Sequence, residues 1–378
     1  MCNKSSFNGE IREIPGISVD NFTGKNLSSR AFFISHYHMD HVVGLWLSPL
    51  IDHLRKTNAY IYTTEITKSI MKLEGGSQTL MNYVKTLSKG YNLITLPSVP
   101  EQDLEEMLVD VTLIPAGHSL GSTMFLFKIP EKTVLYTGDF RIRINDVAKY
   151  SKLHEPNGEP IKIDALYVDT TFVASRFGDF PKRSDTVESV IDVIETWLGG
   201  GPSREVAVYL PGNYTFEFIF NRIHERLKMK VQVGELKWRL YSTIQELVPG
   251  VTDWRSRVHL CPWRRASSES KRCAHDATLD YLHVRLSAYK WSDYDLDRAP
   301  VKRESERQLL ACFSTHCSRS ELLHFVEHLS PAKIVGFPNV YTPGTPPDDP
   351  VAGYPPAPKR RRNRRLDSTG SVGGEILK

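Results

Sequence analysis

The stretch Ile34-Ser35-His36-Tyr37-His38-Met39-Asp40-His41 decides how this chain is read. Three histidines and one aspartate fall within six positions, in the spacing H-x-H-x-D-H. The preceding apolar run, Ala31-Phe32-Phe33-Ile34, reads as a buried strand. Residues two apart on extended backbone point the same way, so His36 and His38 are placed to grip one metal ion. The chain then turns, and Asp40 and His41 face a second ion. Imidazole nitrogen with carboxylate oxygen suits zinc, manganese or a similar divalent cation. A polar turn with incidental histidines is the bland alternative, but ligand-type side chains this dense rarely arise without a metal.

Three later elements extend the motif. His118 lies in Pro115-Ala116-Gly117-His118-Ser119-Leu120-Gly121-Ser122, after a strand ending at Ile114. Alone, that histidine would more often be structural; among glycines, backbone can come close to an ion. Asp139 ends a β run in Tyr136-Thr137-Gly138-Asp139-Phe140, and a carboxylate can bridge two metals. Asp169 stands at another strand end, in Tyr167-Val168-Asp169-Thr170.

The pattern around these motifs is mixed α/β. Strands are expected at Ala59–Tyr62, Val111–Ile114, Thr123–Ile129, Thr133–Tyr136 and Ala165–Val168, the third and fourth joined as a hairpin. Later strands are expected at Val206–Leu210, Val258–Cys261, His283–Leu286 and Leu309–Phe313. Apolar residues at helical spacing predict helices over Thr186–Leu198, Glu217–Lys228 and Ser320–Leu329. The 378 residues allow two domains, or one with an insertion. Net charge of +4 permits a nucleic-acid partner without proving one. No apolar run approaches the roughly 20 residues needed to span a bilayer, and the first residues carry no apolar signal core, so an intracellular protein is expected. Five irregularly spaced cysteines do not suggest a disulfide scaffold.

The order H-x-H-x-D-H, then His, then Asp, each at a strand end, resembles the metallo-β-lactamase fold, an αββα sandwich with ligands on loops along one edge. Asp169 and the late element Ala311-Cys312-Phe313-Ser314-Thr315-His316-Cys317-Ser318 resemble the β-CASP subgroup of nucleases, in which an α/β domain is inserted. Gly16–Phe22, Phe33–His36, Leu113–Ser122 and Val134–Arg141 are similar to the DNA-crosslink-repair branch. Ser6–Phe22, Ala311–Ser320 and Phe337–Val340 look most like its hairpin-opening endonucleases of DNA end joining.

The resemblance implies a metallo-β-lactamase domain over 1–173 and 308–347, an inserted β-CASP domain over 174–307, and a tail over 348–378. It implies a first metal, zinc, held by His36, His38, His118 and Asp139. A second ion, Mg²⁺, Mn²⁺ or another Zn²⁺, is expected at Asp40, His41 and bridging Asp139. Asp40, Asp169 and His316 are the expected catalytic residues: His316 donates a proton or hydrogen bond to the scissile phosphate, and Asp169 orients it or touches the second metal. Asp20 supports the ligands from behind. The implied activity is a metal-dependent DNA endonuclease or 5′-exonuclease that trims overhangs or opens hairpins with metal-activated hydroxide, leaving 5′-phosphate and 3′-hydroxyl. Its setting is double-strand break or crosslink repair in the nucleus. Single-stranded ends, hairpins and overhangs are the expected DNA partners; end-joining factors or a DNA-dependent kinase fit beside them. A monomer is expected, and no membrane.

The main rival is an RNA-processing β-CASP nuclease. Those usually carry a further histidine where Val340 stands here, which favours DNA. The hairpin-opening endonucleases that this chain resembles are also expected to hold a structural zinc in the insertion, on two histidines and two cysteines. His259, Cys261 and Cys273 match it, whereas Gly234 stands where the first histidine belongs; His275 or His283 are possible substitutes. Three ligands make a poor closed site. The family's lysine and helix-entry glycine are missing near Pro211–Glu217, where Thr215 replaces the glycine. Arg141, Arg143, Lys182, Arg183, Lys237, Arg239 and Lys290 are candidate phosphate partners. Trp238, Trp263 and Trp291 are candidates for base stacking. Asp348 onward is expected to be a disordered tail. Its basic run Lys359–Arg365 fits a nuclear import signal, a nonspecific nucleic-acid contact or a solvated tail.

Overall fold

Phe32 and Phe33 are adjacent in one short strand, yet their side chains enter two different cores. That alternation organises the molecule. The computed structural model describes residues 4–75, 77–261, 276 and 278–344. Among them the strands form three sheets.

The first sheet is all parallel, with β1 (Ile17–Val19), β2 (Ala31–Phe33), β3 (Ile61–Thr63) and β4 (Val84–Thr86) in order. The second contains β5 (Tyr91–Leu96), β6 (Met107–Pro115), β7 (Thr123–Ile129), β8 (Lys132–Tyr136) and β9 (Ala165–Asp169). Strands β5 to β8 run antiparallel to their neighbours; β8 and β9 are parallel. Val19, Ala31 and Phe33 from the first sheet share a core with Val111, Phe125, Phe127 and Tyr136 from the second. The Phe33 ring lies 5.0 Å from that of Phe127, edge to face. On the outer face of the first sheet, Phe32 and Ile61 meet Leu50 and Leu54 of α1 (Ser48–Thr57) and Ile70 of α2 (Glu65–Glu74). A short α3 (Gln78–Met81) follows. The result is the expected αββα sandwich.

A seven-stranded third sheet follows: β10 (Arg204–Tyr209), β11 (Val231–Gln232), β12 (Val251–Thr252), β13 (Val258–Cys261), β14 (Asp280–Leu286), β15 (Val301–Ser305) and β16 (Gln308–Ala311), in the order β12-β11-β13-β10-β14-β16-β15. Helices α4 (Arg183–Gly199), α5 (Glu217–Leu227) and α6 (Glu235–Tyr241) belong with it. Val187, Val190, Ile191 and Ile194 of α4 share a core with Val206 and Val208 of β10. Gln308–Ala311, expected to start the returning segment of the sandwich, pairs here with β14 and β15 instead. The chain then re-enters the sandwich. Helix α7 (Arg319–Leu329) lays Leu322, Phe325 and Val326 over the outer face of the second sheet, and β17 (Ile334–Phe337) adds to its edge beside β9.

Each expected strand and helix has a counterpart here, Thr123–Ile129 and Val258–Cys261 with the same ends and the others with shifted ones. Among the strands the sequence did not announce, Val84–Thr86 and Val301–Ser305 are short and mostly exposed, so neither shows apolar alternation.

Candidate active site

The ligand-type residues arrive from loops at one end of successive strands. His36, His38, Asp40 and His41 follow β2, His118 follows β6, Asp139 follows β8, Asp169 closes β9, and His316 lies between β16 and α7. Two glycines allow this crowding. Gly117 has φ +67°, and a Cβ there would sit 2.9 Å from the Arg141 carbonyl oxygen. Gly138 has φ +53°, and its Cβ would meet Ser35 Oγ at 2.6 Å.

His36, His38, His118 and Asp139 form one cluster of donor atoms; Asp40, His41 and Asp139 form another. His38 Nδ1 lies 3.1 Å from His36 Nε2 and 3.0 Å from His118 Nε2. Asp139 Oδ2 lies 3.6 and 3.5 Å from the same two nitrogens. At zinc–nitrogen bonds of 2.0–2.1 Å, tetrahedral ligands stand roughly 3.3–3.4 Å apart. The other oxygen, Asp139 Oδ1, faces the second cluster, 3.3 Å from His41 Nε2; Asp40 Oδ2 is 3.4 Å from that nitrogen.

The outer nitrogens show which inner ones carry a lone pair. Ser35 Oγ donates to Asp20 Oδ2 at 2.5 Å, so it accepts from His36 Nδ1 at 3.0 Å. His118 Nδ1 donates to the Thr315 carbonyl (3.1 Å) and His41 Nδ1 to Asp20 Oδ2 (2.9 Å). His38 is reversed: Nε2 donates to the Asn213 carbonyl (2.8 Å), leaving Nδ1 inward. Three bare lone pairs at near-contact distance repel one another unless a cation lies between them. The donor set therefore fits a divalent ion. Burial first, then the neighbouring imidazoles, hold His36 and His118 well below the usual histidine range, so both are neutral at neutral pH. Burial opposes charge on His41 too, but Asp139 and Asp40 outweigh it and raise that histidine.

Asp20 lies fully buried behind the site, its carboxylate accepting from Ser35 N, Ser35 Oγ, His41 Nδ1 and Tyr136 OH. Asp169 accepts from His316 Nδ1 at 2.7 Å, and His316 Nε2 stands 4.0 Å from Asp139 Oδ2. Burial disfavours charge on His316; Asp169 and Asp139 overcome it and raise its pKa to about 9. The sequence reading missed Ser35, Tyr136 and Asn213, none of which is ligand chemistry in itself. It also missed Tyr289. That ring packs 4.8 Å from Phe172 at the rim and is 44% exposed, with burial and then the Asp169 and Asp139 charges raising its phenol.

A family model described as DNA repair metallo-beta-lactamase matches residues 250–342, and one described as Anti-Pycsar protein Apyc1 matches residues 20–157. The chain is 30% identical to protein artemis of Homo sapiens over 352 residues, covering 90% of this chain and 50% of artemis. The DNA repair metallo-beta-lactamase match covers the later part of the chain, and the likeness to artemis runs through most of it. The chain is 28% identical to the DNA cross-link repair 1A protein of Mus musculus, over 89% of this chain and 32% of that protein. It is 30% identical to the 5′ exonuclease Apollo of Gallus gallus, over 70% and 60% respectively. The chain spans about half the length of the artemis proteins it matches. A crystal structure of a protein of unknown function from Enterococcus faecalis V583 shares the fold, with a TM-score of 0.51, 16% identity and coverage of 83% of this chain and 75% of that one.

Several side chains have other duties than those expected of them. Arg141 is buried, bound to Glu321 through Nε and Nη2, with Nη1 on the Ser314 carbonyl; it is not free for phosphate. Lys237 bonds Asn213, Arg239 pairs with Glu235, and Trp291 is buried against Tyr294. Arg183 donates to the Gly117 and Ser314 carbonyls and so ties the His118 and His316 loops together. Arg143 and Lys182 are exposed, and with Arg141 and Arg183 they line a cavity of about 230 Å³.

For the second zinc, His259 and Cys261 lie in β13 and alternation puts them on one face. Gly234 is the exposed residue before α6. His283 is hydrogen-bonded to Tyr209 OH at 3.0 Å. Cys273, His275, Trp263 and the tail from 348 lie outside the described residues. Val340 follows β17 and is 79% exposed.

Proposed function

We propose that this protein is a metal-dependent DNA nuclease that opens hairpins, trims overhangs or digests 5′ ends in the nucleus during double-strand break or crosslink repair. The observation that carries the reading is Asp139, whose Oδ2 faces Nε2 of His36 and His118 while its Oδ1 faces Nε2 of His41. We assign zinc to His36, His38, His118 and Asp139, because three imidazoles and one carboxylate are a zinc donor set. The second position, Asp40, His41 and Asp139, is richer in oxygen and suits Mg²⁺ or Mn²⁺. Such ions acidify water and neutralise charge on the phosphate oxygens.

The chain's own groups do the rest. His316, aimed by Asp169, is placed to donate a proton or hydrogen bond to the scissile phosphate. Asp20 keeps the His41 ring in register. Asp139 and Asp40 repel phosphate until the cations are present. The match to the DNA repair metallo-beta-lactamase model and the likeness to a protein named for DNA cross-link repair support DNA over RNA. The single test is cleavage by purified protein of a DNA hairpin, 5′-phosphorylated single-stranded DNA and RNA of matched sequence, with Mg²⁺ or Mn²⁺. DNA products abolished by a chelator are expected; cutting of RNA alone overturns the proposal.

Arg143 and Lys182 are the cations best placed to meet the DNA backbone. Lys182→Glu with Arg143→Glu is expected to weaken binding of unrelated DNA sequences alike. The slope of log affinity against log salt should fall by about 1–2, one contact each. An unchanged slope in a fluorescence-anisotropy titration removes them from the interface.

A further inference from the structure

His38 differs from the other histidines of its cluster in what holds its outer nitrogen. His36 is held by Ser35 and His118 by Thr315, which stands beside the ligand candidate His316. His38 Nε2 instead meets the turn between β10 and α5, at the Asn213 carbonyl (2.8 Å) and Thr215 Oγ1 (3.1 Å). The Thr215 hydroxyl donates to the Asn213 carbonyl at 2.9 Å, so its oxygen lone pair is left to accept from His38. Both acceptors can be used only if the proton is on Nε2. The turn therefore selects the tautomer, and with it the nitrogen that faces His36 and His118.

The turn is itself held at three points. Leu120 N donates to the Tyr214 carbonyl at 2.6 Å, and Leu120 is two residues beyond His118. Tyr214 OH donates to Glu74 of α2 at 2.5 Å. Lys237 of α6 donates to Asn213 Oδ1 at 2.9 Å and sits 4.6 Å from the centre of the Tyr214 ring. Lys237 thus enters this segment from another helix, at a turn that lacks the lysine expected of the family.

We propose that Asn213, Thr215 and Lys237 are positioning residues for the metal ligand His38, so that the β10–α5 turn sets the metal affinity of the first cluster. The inference rests on that cluster holding a metal, as the functional reading requires. It also implies reciprocity: a turn that tightens metal binding is itself tightened by the metal.

The test is zinc affinity of the full chain, measured by competition with a chromophoric chelator, beside the unfolding midpoint of the metal-free protein. Thr215→Val combined with Lys237→Met is expected to weaken zinc binding by about 10–100-fold, the usual cost of removing a ligand's outer partner. Thr215→Ser, which keeps the hydroxyl, is expected to stay within about threefold of wild type, and the metal-free midpoints should match. Nitrogen-15 spectra of the zinc-loaded wild type should show His38 protonated at Nε2 and His36 and His118 protonated at Nδ1. Wild-type zinc affinity in the double variant, or His38 protonated at Nδ1, overturns the proposal. Wild-type protein that takes up no zinc overturns this proposal and the functional reading together, whereas zinc uptake with no effect of the variants overturns the proposal alone.

Discussion

Asp139→Asn is expected to lower DNA cleavage by about 10²–10³-fold or more and to release at least one metal equivalent, with the fold intact. Asp139 Oδ2 stands 3.5–3.6 Å from the two Nε2 atoms of the first cluster, and Oδ1 stands 3.3 Å from His41 Nε2 in the second. An asparagine of the same shape must turn an NH₂ towards one of these ring nitrogens. That group carries no charge and cannot ligate, so one ion loses a carboxylate whichever way the amide lies. Metal catalysis is worth several kcal/mol, and each 1.36 kcal/mol is tenfold in rate. Metal content by mass spectrometry and single-turnover cleavage of a labelled hairpin check the two halves. Full activity with both ions retained would remove Asp139 from the centre of the site.

Arg141→Met is expected to cost about 3–5 kcal/mol of stability, the usual result of breaking one side of a buried ion pair. Arg141 holds both oxygens of Glu321 at 3.0–3.3 Å, and both residues are buried. Glu321 has a second duty. It caps α7 by accepting from Ser318 N at 2.9 Å, while Ser318 Oγ accepts from Glu321 N. Methionine fills the stem's volume but leaves that carboxylate in the core with one partner fewer. Urea unfolding should show the loss, and adding Glu321→Gln should recover a large part of it by removing the stranded charge. A single variant within 1 kcal/mol of wild type would refute the account.

That prediction also shows where sequence reading stops. As a residue type, Arg141 is a good phosphate ligand, and it lies two positions from Asp139. Only Glu321, 180 residues away, turns it into an internal strut. Arg143, two residues further on, stays exposed and free to meet a polyanion. Thr215 could be seen as a departure from the family pattern, but not as a partner of His38, because 177 residues separate them.

The sequence by itself determined the candidate ligand set and the layering. His36, His38, Asp40 and His41 fall within six positions, and ligand chemistry belongs to each side chain whatever surrounds it. The alternation that sends Phe32 and Phe33 to different cores is equally local, a property of period-two backbone. The tertiary structure decided which nitrogen of each histidine faces inward, which carboxylate faces both clusters and which cations stay exposed. Those properties depend on the proton or charge of a partner within about 3–4 Å. Here the partners come from the residue after β1, from the β10–α5 turn and from α7, segments that only folding brings together.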